Sequence, residues 1–196
     1  MLAGLAGTVT LAALVALQGD WVAAIPVAVY AFGLMAMLVC SAAYNLARSS
    51  RRRALLRRFD HAAIFAMIAG TYTPFTTLRL EGGWAAGLTG AVWGVALLGI
   101  LLKLWKPHLV ERASIPLYLA LGWIIVVALN PLLGALEPST LILLGVGGLL
   151  YTLGVVFHIW QRLPFQNAVW HACVLAAACV HYAAVIDAVF IGGRTA

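Results

Sequence analysis

CSAAYNLARSSRRRALLRRFDHAAIFAMIAGTYTPF, residues Cys40 to Phe75, joins two apolar runs through the densest charge in the chain. The first run closes on Ser41-Ala-Ala-Tyr-Asn45. Arg48, Arg51, Arg52, Arg53, Arg57 and Arg58 follow, and the next run opens on Asp60-His61. An acid at the mouth of an apolar span costs enough free energy to call for a reason.

Composition sets the class. Apolar residues make up 64% of the 196, charged residues 9%, and the mean hydropathy is +1.03. A soluble domain carries roughly a quarter charged residues, so the chain reads as an all-α integral membrane protein with no separate soluble domain. The net charge of +6 would suggest nucleic acid in a soluble chain. Here the basic residues fall between spans, where they orient the chain and meet anionic headgroups, so membrane lipids are the expected partner and nucleic acid is not. Cys40, Cys173 and Cys179 lie inside apolar runs without metal-site spacing and read as small hydrophobes.

A helix needs about 20 apolar residues to cross a bilayer. With charges as boundaries, the spans fall at 2–17, 21–47, 61–78, 82–102, 113–136, 138–161 and 163–186. The expectation is one seven-helix bundle over residues 1–196. The short first span has no basic leader or cleavage site, which favours a first helix over a signal peptide. With the Arg48–Arg58 segment in the cytoplasm, ten of the twelve basic residues share that side, leaving Arg79 and Arg194 opposite. This asymmetry predicts a cytoplasmic N-terminus and an external C-terminus. Gly90 and Gly94 form a GxxxG, which predicts close packing of the fourth span on a neighbour.

Polar groups inside the membrane are the candidate site. Ser41 and Asn45, four apart, share a helix face, as do Asn167 and His171. With Asp60 they bring three spans to one depth on the cytoplasmic side. Each has a plainer reading. Asp60 could cap its helix or pair with Arg57 or Arg58. Ser41 could bond to its own helix, the two asparagines could face headgroups, and His171 could simply pack. His181 lies about 15 Å beyond His171 along a helix, too far to share a metal. His181 and Asp187, with Tyr72 and Thr73, suggest a polar path toward the outer side or ordinary structural hydrogen bonds. His61 points away from its neighbour Asp60, and His108 and His158 read as interfacial.

Several blocks resemble the hemolysin III family, the bacterial branch of the progestin and adipoQ receptor superfamily. They are Ser41–Asn45, Phe59–Ile64, Ala69–Phe75, Pro164–His171 and His181–Val185. The resemblance covers nearly the whole chain. It implies seven helices, a cytoplasmic N-terminus and localisation to the bacterial inner membrane. It also implies a zinc site built from Ser-x-x-x-His on the second helix and His-x-x-x-His on the seventh, with an aspartate on the third beside zinc-bound water. Here Asn45 and Asn167 stand at two of the histidine positions, and His171 alone keeps its type, with Ser41 and Asp60 beside it. Neutral amides are poor zinc donors. The expectation is a retained pocket with a degenerate zinc site.

Three functions are weighed. The first is a non-enzymatic protein that senses or maintains membrane lipid state. The second is a zinc-dependent lipid amide or ester hydrolase, with Asp60 as base and Ser41 as oxyanion donor. The third is a pore or proton path through Asp60, His171, His181 and Asp187. The missing histidines favour the first.

Overall fold

The structure, a computed structural model, describes residues 2–192. Among these, every regular element is helical. α1 spans Leu2–Gln18, α2 Trp21–Leu46, α3 Ser50–Leu78, α4 Gly82–Trp105 and the short α5 Pro107–Val110. α6 (Ser114–Trp123) continues through a 3₁₀ stretch, Ile124–Ala128, into α7 (Leu129–Ala135). α8 (Pro138–Ile159) and α9 (Gln166–Ile186) follow, and α9 widens into a π-helical turn at Asp187–Ile191. Five segments are long and apolar enough to cross a membrane: Trp21–Leu46, Gly82–Trp105, Ser114–Ala135, Pro138–Ile159 and Gln166–Ile191. α1 is apolar but shorter, and α3 carries the arginine run at its start.

The chain divides into two compact units, residues 1–121 and 122–196. In the first, α3 is the central helix, and nearly every side chain from Ala62 to Thr76 is buried. α2 starts on an Asp20 cap whose Oδ1 accepts from the amides of Val22 and Ala23, both at 3.1 Å. α2 and α3 touch backbone to backbone. A Cβ added at Gly33 would sit 2.8 Å from the Ala66 carbonyl oxygen, and one at Gly70 would sit 3.1 Å from that of Val29. α4 is tied to α3 by Trp93 Nε1 donating to Thr73 Oγ1 (3.0 Å) and Thr89 Oγ1 to Thr76 Oγ1 (2.7 Å).

The second unit is built on the α8–α9 pair. Gly147 leaves room for the His181 ring, and Gly154 for Trp170 and Cys173. Trp123 Nε1 donates to Thr152 Oγ1 at 3.0 Å, holding the start of the 3₁₀ stretch to α8. Large apolar side chains such as Phe32, Leu98, Ile142 and Leu149 remain exposed. That much bare apolar surface suits lipid rather than water as solvent.

Two expectations are corrected. The arginine run, read as a loop, is helical from Ser50 onward, since Arg, Ala and Leu are strong helix formers. Asp60 therefore lies in mid-helix, and capping cannot explain it. The Gly90/Gly94 pair has no neighbour within van der Waals contact of an added Cβ. The buried face of α4 runs instead through Val92, Ala96, Gly99 and Lys103, and close approach falls at Gly99, which lies under the Phe65 ring. The fifth span remains one apolar segment long enough to cross a membrane, Ser114–Ala135, with its middle wound as a 3₁₀ helix at Ile124–Ala128, where β-branched side chains crowd the preceding turn.

Candidate functional site

At the end of α2, Asn45 Nδ2 donates to the Ser41 carbonyl one turn back (2.9 Å) and stands 3.5 Å from Ser41 Oγ. The Ser41 hydroxyl lies close enough to the Asp60 carboxylate on α3 to favour its charged form. The first unit thus places Ser41, Asn45 and Asp60 near one another. Asp60 precedes the apolar span that begins at His61. Burial pushes its carboxyl up to about 6, and the Ser41 hydroxyl partly opposes that rise. Of the two arginines offered as plain partners for Asp60, Arg57 forms an ion pair with Glu111 instead. Arg53 lies over the Tyr44 ring, 5.3 Å from its centre.

A second polar group backs this one. Lys103 is only 2% exposed, and its Nζ lies 3.3 Å from His61 Nδ1. Tyr118 on α6 donates to the His61 carbonyl at 2.8 Å and packs edge-on against Phe65. Ser114, one turn before Tyr118, donates to the Val110 carbonyl. Sequence reasoning missed Lys103 and Tyr118 and ranked His61 low. Lys103 had served as the boundary of a span. The signal was its spacing: Val92, Ala96, Gly99 and Lys103 recur at four, three and four residues, which is one helix face.

The second unit holds the remaining candidates. Asn167 and His171 are exposed, one turn apart on α9. His158, read as interfacial, stacks obliquely on Trp170 at 5.1 Å and lies within electrostatic range of His171. His181 Nε2 lies 3.3 Å from the Leu144 carbonyl, and its ring is 5.5 Å from that of Tyr151. Asp187 Oδ2 accepts from Ser139 Oγ and Thr140 Oγ1, both at 2.6 Å. His181 and Asp187 each join α8 to α9, which is the structural alternative to a path. Tyr72 is buried on α3, in the first unit.

The residues present do not suit zinc. Among the described residues no group of three His, Cys, Asp or Glu side chains converges to hold a metal ion. A catalytic zinc site takes three protein ligands. Asn45 directs its amide nitrogen into its own helix, and an amide would be a weak donor even if turned.

Comparison with known proteins agrees with the resemblance seen in the sequence. The haemolysin-III related family model matches residues 1–182. The hemolysin-3 homolog of Bacillus subtilis is 32% identical over 158 residues, 81% of this chain and 74% of that protein. Hemolysin-3 of Bacillus cereus is 33% identical over 171 residues, 86% of this chain and 77% of that one. The human monocyte to macrophage differentiation factor is 30% identical over 168 residues, covering 80% of this chain and 67% of the relative. No solved structure matches. An all-helical chain with repeated apolar spans, matched by this family model almost from end to end, is a multi-pass membrane protein of the hemolysin III family.

Proposed function

We propose that the protein senses or maintains the lipid state of the bacterial plasma membrane. In this reading seven helices cross the bilayer, with the N-terminus cytoplasmic. A polar pocket on the cytoplasmic side uses Ser41, Asn45 and Asp60, and its zinc site is degenerate. One observation carries the reading: the Ser41 hydroxyl rests on the Asp60 carboxylate, and Asn45 beside them stands where a metal ligand would be expected. A carboxyl that titrates near 6, held by a neutral hydroxyl, can exchange hydrogen bonds with a lipid headgroup without needing a metal.

Metal analysis of purified protein tests the degenerate site. Substoichiometric zinc is expected, with zinc gained only by the double variant Asn45→His plus Asn167→His. Stoichiometric zinc that is lost in His171→Ala would overturn the reading. The functional half is tested by membrane order in cells lacking the protein, read with a polarity-sensitive dye after a lipid challenge. Wild type is expected to restore the order and Asp60→Asn is not. Full restoration by Asp60→Asn would remove the pocket from the function.

A further inference from the structure

We propose that the outward face of the first turns of α3 is a headgroup site for anionic phospholipid. The argument starts from helix geometry. Each residue advances about 100° around the axis. Arg53, Arg57 and Asp60 then fall within an arc of about 60°. All three are engaged by the protein: Arg53 by Tyr44, Arg57 by Glu111 and Asp60 by Ser41. On this side of the helix every charge has a partner within the protein, although Arg53 and Arg57 stay exposed.

Arg58, Arg51, Leu55, Phe59 and Arg52 fill an arc of about 120° on the other side. All five are exposed, Leu55 by 53% and Phe59 by 43%. Among the described residues, Arg51, Arg52 and Arg58 have no acidic partner. The face therefore alternates unpaired guanidinium groups with bare apolar side chains.

That alternation selects the occupant. A free phosphate would satisfy the arginines but leave Leu55 and Phe59 in water. A phospholipid offers both its phosphate and the upper acyl carbons. The position agrees. Arg58 lies about 5 Å and Arg51 about 15 Å along the helix from His61, where the apolar span begins. Arginine stems span the difference by leaning toward the interface. A planar guanidinium binds phosphate oxygens in pairs, and an anionic lipid carries the net charge that a zwitterionic one lacks. The site makes no use of the Ser41–Asp60 pocket and stands whether or not that pocket acts as proposed.

The full chain in nanodiscs of mixed phosphatidylglycerol and phosphatidylcholine tests this. Retained lipids are counted by native mass spectrometry. Wild type is expected to retain phosphatidylglycerol well above the bulk ratio, and the excess is expected to shrink as salt is raised. In R51Q/R52Q/R58Q the excess falls by up to about fivefold per arginine removed. R51K/R52K/R58K keeps most of it, and R53Q, which alters the arginine engaged by Tyr44, leaves it unchanged. No enrichment in wild type, enrichment insensitive to salt, an unchanged triple Gln variant, or an equal loss in R53Q would each overturn the site. Should the Gln variant fail to fold, the salt series and R53Q decide alone. Inorganic phosphate displacing the retained lipid at millimolar concentration would overturn the part assigned to Leu55 and Phe59.

Discussion

Tyr118 donates its phenol to the main-chain carbonyl of His61, 2.8 Å away. A residue of α6 thereby holds the turn of α3 that presents Asp60. The same ring lies edge-on to Phe65, with centroids 4.6 Å apart. Tyr118→Phe removes the hydrogen bond and keeps the ring contact. It is expected to cost about 0.5–1.5 kcal/mol, whereas Tyr118→Ala should cost about 3 kcal/mol or more. Thermal unfolding in detergent would show the two steps, and equal losses would mean that the hydroxyl contributes nothing.

Gly33→Ala puts a methyl against the backbone of α3, 2.8 Å from the Ala66 carbonyl and 3.2 Å from Met67 Cα. Backbone cannot swing aside as a side chain can. The substitution is expected to destabilise by about 1–3 kcal/mol. Gly90→Ala meets nothing within contact distance and should gain slightly from helix propensity. Melting temperatures of the two variants in one detergent would compare them, and similar values would contradict the backbone contact.

The Asp60 carboxyl gives stability a predicted pH dependence. Burial raises its folded-state pKa from 3.8 to about 6. Between those values the folded protein binds more protons than the unfolded one, so stability falls as pH rises. Above about 6 both states are ionised and the loss is complete. Asp60→Asn should flatten this segment of the profile and unfold at a higher temperature than wild type at pH 7. A wild-type profile with no fall between pH 4 and 6 would count against the burial of this carboxylate.

The Tyr151 hydroxyl is buried and has no hydrogen-bond partner among the described residues. Removing an unsatisfied polar atom costs nothing and can help. Tyr151→Phe is expected to be neutral or stabilising, while Thr140→Val, which strips one donor from Asp187, should lose about 1–3 kcal/mol. A clear loss in Tyr151→Phe would reveal a partner for the phenol.

The sequence made some of this legible and hid the rest for identifiable reasons. The Ser41–Asn45 pairing could be read because four residues make one helical turn, and Asp60 stood out because an acid beside an apolar run has few harmless explanations. Lys103 was hidden by its own charge: a lysine at the end of an apolar run looks like the edge of the membrane. Only the burial of the face it shares with Val92, Ala96 and Gly99 identifies it as an interior residue. Tyr118 could not be inferred, because its partner is a backbone carbonyl and leaves no mark in side-chain spacing. The glycines misled in one place. Gly90 and Gly94 have the familiar spacing but face away from α3, while Gly33 and Gly70, on different helices, make the close contact.

α3 is continuous from Ser50 to Leu78, 29 residues without a break. The arginines outside the apolar span and the carboxylate at its edge are therefore parts of one rod. A helix is stiff over two turns, so a lateral pull on Arg51 or Arg58 becomes a rotation at Asp60. The first contact that such a rotation strains is the one to Ser41. On the proposed reading, bilayer charge and pocket geometry would be mechanically geared, with α3 as the shaft. Replacement of Ala54 and Leu56 by glycine is expected to slip that gear, leaving the arginines, Leu55 and Asp60 in place and separating the response of one from the other.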